Sequence, residues 1–78
     1  MNPVLREIID TRLVRTADGQ GTIPLHSNVS ENEGKALQAL VSSIAPTTSL
    51  EIGLAYGTSA LFICDVLKPG ARHICIDP

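Results

Sequence analysis

The stretch SLEIGLAYGTSAL, residues 49–61, joins two apolar segments through a turn of small residues. Glu51 precedes this turn, and Gly53 and Gly57 stand at its two ends. The apolar residues before the turn predict a buried strand over Thr48–Ile52, and those after it predict a helix over residues 58–67. Two glycines at a strand-to-helix turn permit backbone conformations closed to other residues and let a ligand approach the chain closely. The stretch therefore predicts both a fold element and a small-molecule site.

A second strand is predicted over residues 72–77, where Ile74, Cys75 and Ile76 form a continuous apolar run. Such runs are typical of parallel strands that are covered on both faces. Lys68-Pro69-Gly70 predicts the turn that ends the intervening helix. The two strands and this helix form a β-α-β unit, which we expect to be parallel and right-handed.

The residues upstream of the β-α-β unit predict two helices and a loop. Asn2 and Pro3 are typical of a helix start, and helical spacing of apolar residues extends the prediction over residues 3–15. Ser30-Glu31-Asn32-Glu33 has the spacing of a capping box, and Pro46 stops the helix that follows it. Between the helices, turn-forming Gly and Pro residues predict a loop over residues 17–28.

The element order predicts an α/β fold: the N-terminal part of a doubly wound, Rossmann-like parallel sheet, arranged helix-helix-β-α-β, in an incomplete domain. We divide the chain into residues 1–29, an N-terminal helix and loop, and residues 30–78, which carry the first β-α-β portion. A doubly wound domain needs several more strands than these two.

The charge and the hydropathy of the chain limit the kinds of molecule that it is expected to bind. The 78 residues carry a net charge of -2 and no basic run, so we expect no nucleic-acid binding. With no signal-peptide pattern and no long apolar stretch, we expect a cytoplasmic protein without a membrane contact. Cys64 and Cys75 are predicted to be buried, reduced thiols. Because His26 and His73 lack metal-ligand spacing relative to them, no metal site is predicted.

The expected ligand is a nucleotide-like molecule. Ligands of open parallel sheets bind beyond the carboxyl ends of the strands, where Gly53 and Asp77 both lie. An acid at the tip of the second strand can accept hydrogen bonds from two ribose hydroxyls. The dinucleotide fingerprint G-x-G-x-x-G fails, because Gly53 is followed by Ala55 and Thr58 at the two later glycine positions. A nicotinamide-dependent oxidoreductase is therefore disfavoured.

The segments LEIGLAYGTSAL and ICIDP resemble the first motif and the following strand of class I S-adenosylmethionine-dependent methyltransferases. The pattern E-I-G-x-x-x-G-x-S is most similar to the subgroup of catechol-type small-molecule O-methyltransferases. The helix SENEGKALQAL also resembles the element that precedes the motif in that subgroup. The resemblance covers roughly residues 28–78 and implies that residues 30–78 are the cofactor-binding portion of a methyltransferase domain.

The resemblance implies S-adenosylmethionine as cofactor, with contacts from Glu51, Gly53, Ala55, Tyr56, Gly57, Ser59 and Asp77. The three small residues of the turn would line the methionine and ribose side of the cofactor. Glu51 would orient the turn and the cofactor's amino end, and Asp77 would hold the ribose hydroxyls. Ser59 would lie near the cofactor carboxylate, with a role as a first-turn helix residue as the alternative. Tyr56 is a cofactor contact or a packing residue.

The function so implied is methyl transfer to a small-molecule acceptor by a longer protein, this portion being inactive by itself. No catalytic base is assigned, because acceptor-binding residues and metal-binding carboxylates of the catechol type would lie downstream. The alternative is a non-catalytic fragment that binds nucleotide or associates with itself. Open sheet edges recruit other chains, so we expect a homo-oligomer.

Overall fold

The computed structural model describes residues 1–26 and 28–77. Three helices and two separate two-stranded sheets make up these residues. In chain order the elements are α1 (Pro3–Thr11), β1 (Leu13–Arg15), β2 (Thr22–Pro24), α2 (Glu31–Ile44), β3 (Thr48–Ile52), α3 (Thr58–Cys64) and β4 (Arg72–Ile76). None of the helices described has the length and apolar character needed to cross a membrane.

The β-α-β unit is confirmed. Strands β3 and β4 pair in parallel, with Leu50 opposite Ile74 and Glu51 opposite Cys75. The bounds of β3 match the prediction, and β4 ends one residue before the predicted strand end. This pairing brings the carboxyl ends of the two strands side by side, which positions the candidate site.

The prediction of one helix over residues 3–15 is wrong at its C-terminal end. Asn2 caps α1 as predicted, its side-chain oxygen accepting from the N–H groups of Val4 and Leu5. The helix stops at Thr11 because Arg12 has a left-handed backbone with φ 61°. Strand β1 then begins at the next residue, where the helical spacing of apolar residues had suggested a further turn.

The prediction of a loop over residues 17–28 is also wrong in part, because β2 pairs antiparallel with β1. The hairpin turn is closed by the Gly19 N–H, which donates to the Thr16 carbonyl at 2.9 Å. The Asp18 carboxylate accepts from the Thr16 hydroxyl and the Gln20 N–H, and these bonds hold the pKa of Asp18 below its ordinary value. Asp-Gly between two short β-prone segments is itself a hairpin signal. Ser27, within the predicted loop, lies outside the described residues.

Helix α2 confirms the capping-box prediction. The Ser30 N–H donates to the Glu33 carboxylate at 2.9 Å, and the Glu33 N–H donates to the Ser30 hydroxyl oxygen at 3.1 Å. The helix ends at Ile44 and is followed by Ala45 in a left-handed conformation, before Pro46. It packs closely against α3 at Gly34, where any side chain would meet the ring of Phe62.

Helix α3 is shorter than predicted and turns a different face inward. It ends at Cys64, after which the Val66 and Leu67 N–H groups donate three residues back rather than four, which is typical of a tapering helix end. Its fully buried side chain is Phe62, and Cys64 is exposed. The prediction that Cys64 is a buried thiol is therefore wrong, because the buried stripe runs through Phe62 and Ile63 instead.

The core lies where the three helices meet. Its buried apolar side chains on the helices are Leu5, Ile8, Val41, Phe62 and Ile63. Burial of one such side chain stabilises the fold by about 1.5–3 kcal/mol. The N-terminus is tied to this core by polar contacts as well, since the Asn2 N–H donates to the Asp65 carboxylate at 3.2 Å.

The two faces of the parallel sheet differ in character. Ser49, Glu51, His73 and Cys75 alternate onto the half-buried face that α3 covers. Leu50, Ile52, Ile74 and Ile76 alternate onto the other face, where they are 43–74% exposed. The sequence predicts a sheet that is covered on both faces. Among the described residues, α3 covers the polar face, and the apolar face is exposed to solvent.

Candidate functional site

The turn between β3 and α3 has a left-handed backbone at every second residue. The φ angles are 86° at Gly53, 48° at Ala55 and 79° at Gly57. Glycine adopts such angles freely, whereas at Ala55 the conformation costs about 1–2 kcal/mol. The Gly57 N–H donates to the Leu54 carbonyl at 2.8 Å and closes the turn. Ala55, which stands where a third glycine would continue the series, thus has the same left-handed backbone conformation as Gly53 and Gly57.

The space above the turn is open. A Cβ atom built on Gly53 meets no atom within 4 Å, and one built on Gly57 meets only Leu54 Cδ1, at 3.9 Å. These glycines are therefore required by their backbone angles and not by crowding from the rest of the chain. They leave a surface on which a ligand can lie directly against the backbone. Tyr56 is half-buried within the same turn.

The tip of β4 is bonded to this turn. The Leu54 N–H donates to Asp77 Oδ1 at 2.9 Å, and the Gly53 N–H donates to the Ile76 carbonyl at 2.6 Å. Asp77 is exposed, and its bond to Leu54 engages one of two carboxylate oxygens. An ionised carboxylate has about four acceptor sites, so Oδ2 keeps capacity for a ligand. The structure thus brings together the predicted site residues at the two strand ends.

Glu51 lies beneath the turn, at the centre of a polar cluster between the sheet and α3. The Ser59 hydroxyl donates to Glu51 Oε2, which ties the first turn of α3 to β3. On the other side, His73 Nε2 lies 3.1 Å from Oε1, and Cys75 Sγ lies 3.9 Å from the same oxygen. The side chain of His73 is 3% exposed and that of Glu51 is 20% exposed. The Glu51 carboxylate is therefore contacted by three side chains, those of Ser59, His73 and Cys75.

The hydrogen bonds define how protons are arranged in this cluster. With Glu51 as an acceptor, the His73 Nε2–H donates to it, and His73 Nδ1 accepts from the Ser49 hydroxyl, 2.7 Å away. Burial, followed by the negative charge of Glu51, raises the pKa of the Cys75 thiol and favours its neutral form. Although Ser49, His73 and Glu51 form a serine-histidine-acid chain, the imidazole is too buried for a substrate to reach it.

Three members of this cluster, Ser49, His73 and Cys75, were not among the predicted site residues. The signal that could have found them is the two-residue alternation of a strand, which places Ser49 and Glu51 on one face of β3 and His73 and Cys75 on one face of β4. Only the register of the two strands shows that the two pairs face each other.

No protein-family model matches the chain. Among solved structures, an O-methyltransferase from Bacillus cereus, crystallised in complex with SAH (S-adenosylhomocysteine), is similar to it with a TM-score of 0.68. The sequences are 29% identical, and the match covers 96% of this chain and 31% of the bacterial protein. The described residues therefore form an α/β, Rossmann-like arrangement that is similar to part of this O-methyltransferase. The chain spans less than a third of that protein's length.

Proposed function

We propose that this chain is the N-terminal, cofactor-binding portion of an S-adenosylmethionine-dependent methyltransferase that acts on a small molecule. The observation that carries the proposal is the turn of residues 53–57, whose backbone is left-handed at three positions and bonded to Asp77 at the tip of the next strand. The structural likeness to an O-methyltransferase crystallised with SAH supports it, because the match covers 96% of this chain.

Asp77 and the turn of residues 53–57 would each bind a different part of such a cofactor. Asp77 would accept hydrogen bonds from the ribose hydroxyls through Oδ2, while Oδ1 keeps its bond to Leu54. Gly53, Ala55 and Gly57 would let the methionine and ribose part lie against the backbone, since the space above the turn is open. Tyr56 would border the same surface.

Ser59 takes a different part in this proposal from the one the resemblance implies. Its hydroxyl donates to Glu51, so that proton is not free for a cofactor carboxylate. We assign Ser59 to holding Glu51, and Glu51 to fixing the turn relative to α3. Both residues would then act on the cofactor through the shape of the turn.

S-adenosylmethionine supplies a sulfonium methyl group, which a nucleophile takes by in-line displacement as the carbon–sulfur bond breaks. The part of this chain in that reaction is to bind and orient the cofactor, and orientation of reactants supplies much of the rate enhancement in such a transfer. Residues that bind the acceptor and remove its proton are not assigned within this chain. The fragment by itself is proposed to be inactive.

Calorimetry on the protein that carries the rest of the domain tests this function, with S-adenosylmethionine, S-adenosylhomocysteine and NAD as separate ligands. We expect saturable binding of both sulfur compounds and none of NAD. Binding of NAD without a response to either sulfur compound would contradict the proposal. Methyl transfer to catechol-like and other hydroxylated acceptors would then define the substrate class.

A second candidate, a non-catalytic, self-associating module, is favoured by one observation. Leu50, Ile52, Ile74 and Ile76 form an exposed apolar sheet face that a second copy could cover. Light scattering separates the two candidates when combined with calorimetry, since a self-associating module without cofactor affinity would oligomerise and bind neither sulfur compound. A homo-oligomeric state and a cytoplasmic location stay predictions under either function.

A further inference from the structure

The strongest unassigned feature is the set of metal-ligating atoms on the covered face of the parallel sheet. Glu51, His73 and Cys75 each present one ligand atom, and these atoms all lie within 4.8 Å of one another. They come from β3 and β4, whose register places Glu51 directly opposite Cys75. The atoms converge because of strand pairing, so rigid elements of the fold hold them.

We infer that Glu51 Oε1, His73 Nε2 and Cys75 Sγ form a three-ligand site for a thiophilic divalent cation of the Zn²⁺ type. One thiolate, one imidazole and one carboxylate suit Zn²⁺ and disfavour Mg²⁺ and Ca²⁺, which prefer all-oxygen sites. Three protein ligands supply three of the four positions of a tetrahedral zinc site. Binding at this cluster does not require that the protein be a methyltransferase.

Two of the three distances between ligand atoms are close to those of a tetrahedral site, and the third is at most 4.8 Å. With typical bond lengths to zinc, ligand atoms are separated by about 3.4–3.6 Å. The Oε1 to Nε2 distance is 3.1 Å and the Sγ to Oε1 distance is 3.9 Å, so the two lie on either side of this range. Shifts of a few tenths of an ångström, available through the χ angles of Glu51 and Cys75, would bring both into it.

The groups around the ligands are those that orient a metal site. Metal-bound histidines donate their second ring N–H to a neighbouring acceptor, and Ser49 Oγ lies 2.7 Å from His73 Nδ1. Metal entry would therefore exchange one tautomer for the other, with the Nδ1–H donating to Ser49, and would release the Cys75 thiol proton to solvent as the sulfur binds the metal as a thiolate. The second oxygen of Glu51 is likewise held, by the Ser59 hydroxyl. Two of the three ligand residues, His73 and Glu51, are thus oriented by hydrogen bonds to neighbouring serines.

Titration of the full-length protein with Co²⁺ followed by absorbance, and with Zn²⁺ in competition with a chelating dye, tests the site. We expect one ion per chain, a thiolate-to-cobalt charge-transfer band, and a rise in thermal stability with Zn²⁺. Cys75→Ser should abolish the charge-transfer band, and Ser49→Ala should weaken Zn²⁺ binding about 10-fold. The matched control is Cys64→Ser, since Cys64 is an exposed cysteine of the neighbouring helix.

Retention of the band and of the Zn²⁺-dependent stabilisation in Cys64→Ser, with loss of both in Cys75→Ser, would support the site. If Cys75→Ser is too unstable to purify, His73→Gln takes its place in the comparison with Cys64→Ser. We expect His73→Gln to lose the one-to-one binding of Zn²⁺ that Cys64→Ser retains. Loss of the band in Cys64→Ser alone, or no stoichiometric binding by the parent, would overturn the inference and leave the cluster as a hydrogen-bond network. Because neither readout involves an S-adenosyl compound, this failure is distinct from failure of the proposed methyltransferase function.

Discussion

Asp77 at the tip of β4 accepts a hydrogen bond from the Leu54 N–H, at 2.9 Å, across the gap between the two parallel strands. The acid is therefore part of the turn as well as a candidate ligand group. A carboxylate fixed at one oxygen is oriented before a ligand arrives, and such preorganisation lowers the entropy lost on binding. The bond explains how an exposed residue at a strand tip can hold a defined position.

Asp77→Ala should weaken S-adenosylhomocysteine binding by about 1–3 kcal/mol, the usual cost of leaving charged hydrogen-bond partners unmatched. Asp77→Asn should cost less, because its amide oxygen can still accept from Leu54. Isothermal calorimetry measures both values, with Asp10→Ala in α1 as the control. Equal affinities for the Asp77→Ala variant and the parent would show that Asp77 serves the turn alone.

Gly57→Val should weaken cofactor binding more than Asp77→Ala. A β-branched side chain would protrude into the open space above the turn, where the cofactor is proposed to lie. The substitution also forces φ 79° on a residue with a Cβ, at a cost of about 1–2 kcal/mol in stability.

Gly19→Val in the β1–β2 hairpin separates these two effects, because Gly19 has φ 73° and open space around it but lies outside the site. Urea denaturation should give similar losses of stability for the two variants. Calorimetry should show a loss of S-adenosylhomocysteine affinity in Gly57→Val alone. A similar loss in both would mean that the effect comes from backbone strain.

Gly34→Ala should destabilise the fold, by about 1–3 kcal/mol, the usual cost of overpacking a core. The added Cβ would enter the ring of Phe62, whose side chain is completely buried between α2 and α3. Urea denaturation measures the change, with Gly21→Ala as the control, since a Cβ there meets only Thr16 Oγ1, at 4.0 Å. Phe62→Leu in the Gly34→Ala background should restore part of the loss; a stable single variant would contradict this packing.

The Arg6–Glu31 pair should contribute a pH-dependent part of the stability. The two terminal guanidinium nitrogens of Arg6 donate to the carboxylate, at 3.2 and 2.9 Å, and these bonds, followed by the one from Lys35, hold the pKa of Glu31 below its ordinary value of 4.5. A lowered folded-state pKa contributes stability that is present above pH 4.5 and is lost as the pH falls through the folded-state value. The effect is small because both side chains are partly exposed to solvent.

Urea denaturation from pH 7 down to pH 2 tests this linkage. Glu31→Gln should be less stable than the parent near neutral pH, and the difference should shrink in the acid range. Arg6→Gln should reproduce part of this change, because Lys35 still lies 3.3 Å from the Glu31 carboxylate. A constant difference between Glu31→Gln and the parent at all pH values would contradict the assignment.

Much of the fold follows from local signals in the sequence. The capping box at Ser30 and the apolar segment at Thr48–Ile52 specify α2 and β3 through nearby residues, and both are confirmed. The end of α1 could not be placed, because Leu13 and Val14 continue its apolar spacing although Arg12 leaves the helix. Pairing with β2 decided the structure of this segment, and the partners in that hairpin lie 7 to 11 residues further along the chain, beyond the helical spacing that was considered.

In the candidate site, too, contacts between separate elements could not be predicted from local patterns in the sequence. The positions of Gly53, Gly57 and Asp77 in the fold could be predicted because their residue types fit a turn and a strand tip, whereas their role in binding stays a prediction. His73 and Cys75 could not be placed beside Glu51, because the spacing within one strand does not reveal the register of two strands. The exposure of Cys64 was missed for a related reason, since the burial of an apolar helix depends on where its neighbours pack.

The central claim is that the turn of residues 53–57 and Asp77 bind an S-adenosyl cofactor. Two-dimensional amide NMR of the full-length protein tests it most directly, through titration with S-adenosylhomocysteine and, separately, NAD. We predict saturable shifts of the Gly53, Leu54, Gly57 and Asp77 amides with S-adenosylhomocysteine, and none at Gly19 or Thr22 in the hairpin. Unshifted turn amides at saturating S-adenosylhomocysteine, or shifts of these amides with NAD alone, would contradict the claim.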